Sequence, residues 1–353
     1  MSGPADENST EPCPIAFDVS VVMPVYNALP HLDAAIESVL AQTHGSFEFV
    51  ILDDASTDGS AERLRYWAAQ DPRIRLIATK HNLGPAMSSQ KVAAAALAPI
   101  VARMDADDIS YPDRLSKQLD VLRQHPEAGV VGSLCDFIDD SGKKLREPES
   151  WRLSRHSALA PFAHGTMMYR SDLFEDIGGY REECIYWEDQ DLTIRMAKIA
   201  PILIIPQTLY RYRLSTRSIR ITSHHEQVER SVDLMYRSVD RAHRGEDYDD
   251  LLAGASGVAT KVDPRVFISL GSQQLWAGGR PRMFRRMLRR GNLRLTSATI
   301  IAAIWTGWAS ASPSSLRSFL RLLILARNTI SSARVSRDLP VVWHPPGTDK
   351  TNR

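Results

Sequence analysis

Asp18-Val-Ser-Val-Val-Met-Pro24 and Phe47-Glu-Phe-Val-Ile-Leu52 are short apolar runs rich in β-branched and aromatic residues, the pattern of strands buried on both faces. Between them, Leu32, Ile36, Val39 and Leu40 fall on one face of a helix. The pattern then repeats. Residues 58–69 read as a polar-faced helix, 74–78 as a strand, 85–97 as an Ala-rich helix and 100–104 as a fourth strand. Strand and helix alternating four times in about 90 residues predict an α/β fold, a mostly parallel sheet with helices on both faces. In such sheets ligands bind beyond the carboxyl ends of the strands. The stretches to inspect are therefore 24–27, 53–58 and 105–108.

Further along, 112–124 reads as a helix with Pro112 in its first turn. Residues 129–138 and 143–146 read as strands around a turn at 140–142, and 165–169 as a short strand. A helix opening with acids is predicted over 187–199 and a strand over 202–213. After about Ser223 the pattern is helical. The expected organisation is a disordered leader at 1–16, an α/β domain at 17–222, a helical Arg-rich extension at 223–340 and a flexible tail at 341–353.

The chain has 353 residues, with 43 Lys+Arg against 42 Asp+Glu, 43% hydrophobic and 24% charged residues. These values exclude a wholly disordered, collagen-like or coiled-coil chain. Cys13, Cys135 and Cys184 form no CxxC pair, so neither a disulfide framework nor a cysteine zinc site is expected, and a reducing cytosol fits. The polar, acidic N-terminus lacks the apolar core of a secretory signal. The longest apolar stretch, 298–311, is broken by Thr306, Gly307 and Ser310 and falls short of the ~20 residues of a spanning helix. A cytoplasmic location is expected.

Charge is unevenly spread. Residues 276–337 contain 12 Arg, no Lys and no acid, so against a total of +1 the rest of the chain carries about −11. Arg282, Arg285, Arg286, Arg289 and Arg290 share one helical face, with Met283, Phe284, Met287 and Leu288 on the other. That composition suits a helix lying on an anionic membrane surface, at the inner face of the cytoplasmic membrane. The alternative is a helical subdomain packed on the body. No helix-turn-helix, zinc-finger or RRM pattern occurs, so no nucleic-acid partner is expected. The absence of GxxxxGK[ST] excludes P-loop NTPases, and the absence of GxGxxG after a strand and of GxSxG counts against dinucleotide dehydrogenases and nucleophile-elbow hydrolases.

Asp105-Ala-Asp107-Asp108 follows the fourth strand. Carboxylates on one turn suit a hard divalent cation, which can neutralise a diphosphate; the competing account is an Asp-rich helix cap. Asp53 and Asp54 end the second strand, where one could accept from a nucleobase imide, while Ser56, Thr57 and Asp58 form a helix N-cap. Trp187-Glu-Asp-Gln-Asp191 opens a helix, where a carboxylate suits a general base or simply the helix dipole. His164 could contact phosphate or acceptor, or be structural. Arg211, Arg213, Arg217 and Arg220 could pair with phosphates or be surface charge. His224-His225 read as metal ligands or a helix start.

In this order the segments resemble a family 2 glycosyltransferase of the GT-A fold, over about 19–218. Val-Ser-Val-Val-Met-Pro-Val-Tyr-Asn27 resembles the opening strand and nucleotide loop, Ala41-Gln-Thr the end of the first helix, and Val50-Ile-Leu-Asp-Asp-Ala-Ser-Thr-Asp-Gly-Ser60 the second motif. Asn82-Leu-Gly84 resembles the third, Ala102-Arg-Met-Asp-Ala-Asp-Asp-Ile-Ser-Tyr-Pro-Asp-Arg-Leu115 the DxD region, and 174–180 followed by Glu188-Asp189-Gln-Asp-Leu192 the ED region. The resemblance implies an inverting transferase using a nucleotide-sugar donor, a UDP-sugar by default, and a saccharide or lipid-linked acceptor. It implies a nucleotide-sugar site at Pro24, Tyr26, Asn27, Asp54, Asn82, Arg103 and Asp105. Mn²⁺ or Mg²⁺ would sit at Asp107 and Asp105, with Asp189 as the general base and His164, Glu188 and Arg213 near acceptor or phosphates. Two departures stand out. Leu214-Ser215 follows Tyr212-Arg213 where members carry a His, and Ala163-His-Gly-Thr166 replaces Pro-His-Pro-Thr. A non-catalytic nucleotide-sugar-binding scaffold is the alternative. A nucleotidyltransferase is disfavoured because 24–30 holds neither Gly nor Lys.

Overall fold

A computed structural model describes residues 17–145, 162–214 and 246–253, a few positions between 234 and 242, and the backbone of 341–343. Its strands are β1 (Val19–Val25), β2 (Phe47–Asp53), β3 (Ile74–Ala78), β4 (Ile100–Arg103), β5 (Ile109–Ser110), β6 (Val130–Ile138), β7 (Met168–Arg170) and β8 (Ile202–Arg213). They join in the order β3-β2-β1-β4-β7-β6-β8-β5, and β9 (Val341–Trp343) pairs with β8. β1 to β4 are mutually parallel. β7 runs antiparallel to β4 and β6, β6 is parallel to β8, and β5 and β9 are antiparallel to β8. The helices are α1 (Leu32–Leu40), α2 (Ser60–Gln70), α3 (Gly84–Ala93), α4 (Arg114–Gln124), α5 (Ser171–Asp176), α6 (Glu188–Ala197) and α7 (Asp249–Ala253).

The central strands are buried on both faces, which is why their sequences do not alternate apolar with polar. Val19, Val21, Met23 and Val25 join Phe47, Phe49 and Ile51 in a core that also takes Leu32 and Ile36 of α1 and Leu115 and Leu119 of α4. Val22, Val50, Leu52 and Val101 face the other way, onto Val92 of α3 and Leu192 and Met196 of α6. Pro24 is tolerated in β1 because β4 pairs only with Ser20 to Val22, so no ladder bond is lost beyond that point. Pro206 sits where the β6–β8 register slips, between the partners of Ser133 and Leu134.

The alternating first half matches the expected order. Several details differ. The strand expected at 143–146 is only a bridge between Ile138 and Lys144. That at 165–169 is a 3-10 turn, His164–Thr166, before β7. α3 stops at Ala93, and Pro112 precedes α4 rather than lying in its first turn. β5 and α5 were not anticipated, because two- and six-residue elements carry too little periodicity to read. Val341–Trp343, expected in a flexible tail, extends the sheet. Residues 254–340, with the Arg-rich stretch, lie outside the described residues, as do 215–233 with Arg217, Arg220 and His224-His225.

Candidate active site

Loops leaving the carboxyl ends of β1 and β2 hold one another. Asn27, at φ 51, donates its N–H to Ser56 Oγ (3.1 Å), and its Oδ1 accepts from the Thr57 N–H (2.7 Å). Ala28 N–H donates to Ser60 Oγ (3.0 Å) and Leu29 N–H to Asp58 Oδ2 (3.0 Å). Ser56 and Asp58 thus seat the first loop. The N-cap of α2 is Gly59 at φ 94, not the Ser56–Asp58 cap expected from sequence. A left-handed backbone here suits glycine. Tyr26 and Asn27 stay exposed and Pro24 is partly buried.

Asp54 is buried and turned toward α3. Its Oδ1 accepts from Leu83 N–H (2.8 Å) and Thr79 Oγ1 (3.2 Å), and its Oδ2 from Gly84 N–H (3.1 Å). It therefore helps satisfy amides at the start of α3, which have no intrahelical acceptors. Asn82 Oδ1 also accepts from Gly84 N–H (2.9 Å), and Asn82 is exposed beside this turn. The carboxylate expected at a base has a structural task of its own.

The loop after β4 carries the acids. Arg103 is buried, and its Nη2 lies 2.9 Å from Asp105 Oδ1. Burial opposes the Arg103 charge, but Asp105 and neighbouring groups outweigh it and its pKa lies above the ordinary value. Asp105 N–H donates to Tyr210 Oη (3.1 Å), and the Arg114 guanidinium lies 5.2 Å from the Tyr210 ring centre. Arg114 is fully buried on Gln118 Oε1 (2.9 Å) and Arg103 O (2.7 Å), and burial lowers its pKa to about 10. Asp108 Oδ1 accepts from Arg213 N–H (2.6 Å). Arg213 donates Nε to Asp107 O (2.6 Å) and Nη1 to Asp139 O (2.8 Å) and Asp140 O (3.2 Å). Expected near phosphates, this guanidinium is occupied by three carbonyls and pins the acidic loop. Burial, and then Asp105, push Asp107 up to about 6; burial with Asp107 and Asp105 holds Asp108 well above the usual carboxylate range.

A second wall comes from the segment after β6. His164 Nε2 is 2.7 Å from Tyr180 Oη, a partner that accounts for it structurally. Tyr180 N–H donates to Gln90 Oε1 of α3 (2.7 Å). Burial raises the Tyr180 pKa, Arg103 opposes this, and Glu188, Asp189 and Asp105 add to it. Charges from the loop after β4 and from the turn opening α6 are therefore both felt at Tyr180. Asp189 Oδ1 accepts from Gln190 N–H (2.8 Å), and Thr193 Oγ1 donates to Asp189 O (2.6 Å). Arg114, Tyr180 and Tyr210 were missed from sequence. Tyr210 hides in a strand, and Arg114 lies in a quoted motif with nothing local to mark it as buried.

A family model described as Glycosyl transferase family 2 matches residues 20–178. A Bacillus subtilis (strain 168) protein named "Putative teichuronic acid biosynthesis glycosyltransferase TuaG" is 37% identical over 231 residues, covering 64% of this chain and 89% of that one. Among solved structures, S. aureus TarS 1-349 in complex with UDP-GlcNAc superposes with a TM-score of 0.51 at 18% identity, covering 73% of this chain and 81% of that one. The mannosyltransferase PcManGT from Pyrobaculum calidifontis, in complex with GDP-Man and Mn²⁺, reaches 0.53 at 17% identity, covering 89% and 86%. The structures agree in fold and the relative agrees along nearly its whole length, so the chain belongs to glycosyl transferase family 2 and is a glycosyltransferase.

Proposed function

We propose that this enzyme moves a sugar from a nucleotide-sugar, by default a UDP-sugar, to a hydroxyl of a saccharide or lipid-linked acceptor in assembling a cell-envelope polysaccharide. The observation that carries this reading is the pair Asp105 and Asp107, crowded on one turn at the end of β4 and backed by Arg103, Tyr210 and Arg213. The TuaG relative supports the polymer class, and the bound nucleotide-sugars of the two structural neighbours support the donor class.

The donor set suits Mn²⁺ or Mg²⁺. Asp107 is pushed up to about 6 because it is partly buried beside a second carboxylate, a conflict that a divalent cation relieves. Among the described residues no group of three or more His, Cys, Asp and Glu forms a cage, so the remaining ligands would be diphosphate oxygens and water. When bound, the ion supplies neutralisation of the charge that develops on the leaving diphosphate.

Asp189 takes the proton of the acceptor hydroxyl as its oxygen attacks the anomeric carbon and the bond to the diphosphate breaks, so configuration inverts. Pro24, Tyr26, Asn27, Asn82 and Arg103 line the donor side, with Asp54 holding the turn that follows Asn82. Glu188 stands on the acceptor side. In a thermal-shift panel with Mn²⁺, one nucleotide-sugar at 100 times its Kd should stabilise the protein by about 2.7 kcal/mol. A panel in which none shifts the protein overturns the donor reading.

Among the described residues no helix is long and apolar enough to cross a membrane. We propose that the Arg-rich stretch 276–337 instead holds the enzyme peripherally against anionic lipid at the inner face of the cytoplasmic membrane. Full-length protein should sediment with phosphatidylglycerol vesicles and a chain ending at residue 256 should not. Equal sedimentation by the two sinks this assignment.

A further inference from the structure

The acidic turn that opens α6 is held from behind by a buried charge cluster. Asp191, two residues past Asp189, is completely buried. Its Oδ2 accepts from Arg195 Nε (2.9 Å), and Arg195 also reaches Ile177 O (2.9 Å) and Gly179 O (2.6 Å). The same arginine therefore fixes both α6 and the turn that leads to Tyr180. Asp191 Oδ1 accepts from Tyr248 Oη (2.8 Å), a bond spanning 57 positions in sequence. Arg181 Nη1 lies 3.8 Å from Asp191 Oδ1 and bonds Asp249 Oδ1 (2.7 Å), next to Tyr248. Tyr248, Leu234, Met235, Ala242 and Leu252 pack with Cys184, Trp187 and Ile194 in a cluster separate from the two sheet cores.

Entry to α6 is also strained. Tyr186 has φ 68, a left-handed conformation that costs a non-glycine residue about 1–3 kcal/mol and persists only where the surroundings enforce it. Trp187, fully buried and 6.5 Å from the Tyr248 ring, follows directly. Tyr186 packs against the same cluster that Trp187 and Tyr248 share.

We propose that Tyr248 is a positioning residue for the transfer reaction: through Asp191 it fixes the first turn of α6, and with it the Asp189 carboxylate. The inference rests on Asp189 being the general base. A base displaced by about 1 Å loses on the order of 10²-fold in rate while donor binding, made by other loops, stays as it was.

The test uses full-length protein with Mn²⁺ and UDP-GlcNAc, UDP-glucose or GDP-mannose, with water as acceptor. Release of UDP or GDP is expressed per nucleotide-binding site counted by calorimetry, so unfolded molecules do not enter the rate. Tyr248→Phe should lower kcat at least roughly tenfold with donor KM unchanged. Leu252→Ala opens a cavity in the same cluster, and should lower Tm at least as much while its rate per site stays at the wild-type level. A Tyr248→Phe variant with wild-type kcat, or a Leu252→Ala variant with the same loss, overturns the proposal. Asp189→Asn separates the two ideas. If it is inactive while Tyr248→Phe is normal, positioning alone fails; if it is active, or if wild type releases nucleotide from none of the donors, the underlying reading fails and takes this one with it.

Discussion

Asp107→Asn should give a protein that is more stable than wild type in metal-free buffer and yet inactive. The sign follows from the raised pKa. Folding lifts the Asp107 carboxyl from 3.8 to about 6, so the folded state prefers the protonated form. Below the unfolded value the penalty is absent; it grows as pH rises through the interval and is complete above about 6. Two units correspond to about 3 kcal/mol, an upper figure for a group in contact with Asp105. Asparagine keeps the shape and carries no charge. At pH 8 the variant should melt about 5 °C higher, and at pH 3.5 the two proteins should melt together. Added Mn²⁺ should raise the wild type alone, while transfer falls at least about 10²-fold in the variant. A variant that melts at or below wild type at pH 8 would refute the electrostatic account, whatever its activity.

Gly165→Ala should cost the enzyme nearly as much activity from a residue with no side chain. A Cβ at position 165 would stand 2.2 Å from Tyr210 Oη and 2.9 Å from Asp105 Oδ2, closer than real carbons approach. Tyr210 has no room to retreat. It is fully buried, with the Arg114 guanidinium over its ring. The strain must therefore move Asp105, whose N–H is bonded to that hydroxyl. Overpacking of this kind costs about 1–3 kcal/mol, and a shift of the acidic loop by 1 Å costs on the order of 10²-fold in kcat/KM. Gly45→Ala, where a Cβ meets nothing within 4 Å, is the matched control and should behave as wild type. Full activity in Gly165→Ala would mean that Asp105 tolerates displacement.

The alternation of buried runs and one-sided helices made the parallel half of the sheet legible, because each element there is long enough to show its period. The strand-end rule then directed attention to 24–27, 53–58 and 105–108, the loops that the structure does bring to one end of the sheet. The other half is less legible. β5 has two residues and exists because β8 offers it Tyr210 and Arg211 as partners. The tasks of Asp54 and Arg213 were hidden for a related reason: their hydrogen bonds go to backbone groups 29 to 106 positions away, and no local pattern reports such a distance. Single charged residues with long-range partners are where sequence reading ends and tertiary contact decides.

The order of strands also has a consequence for how the enzyme is made. β1 to β4 are contiguous in the chain, so the parallel half of the sheet can pair as soon as the first hundred or so residues have emerged from a ribosome. The acidic loop cannot settle then. Its far end, β5, pairs with β8, and the groups that fix Asp105, Asp107 and Asp108 are Tyr210 and Arg213 of that same late strand. A nascent or prematurely ended chain therefore carries the parallel half of the sheet with its acidic loop unfixed, and that loop settles only with β8.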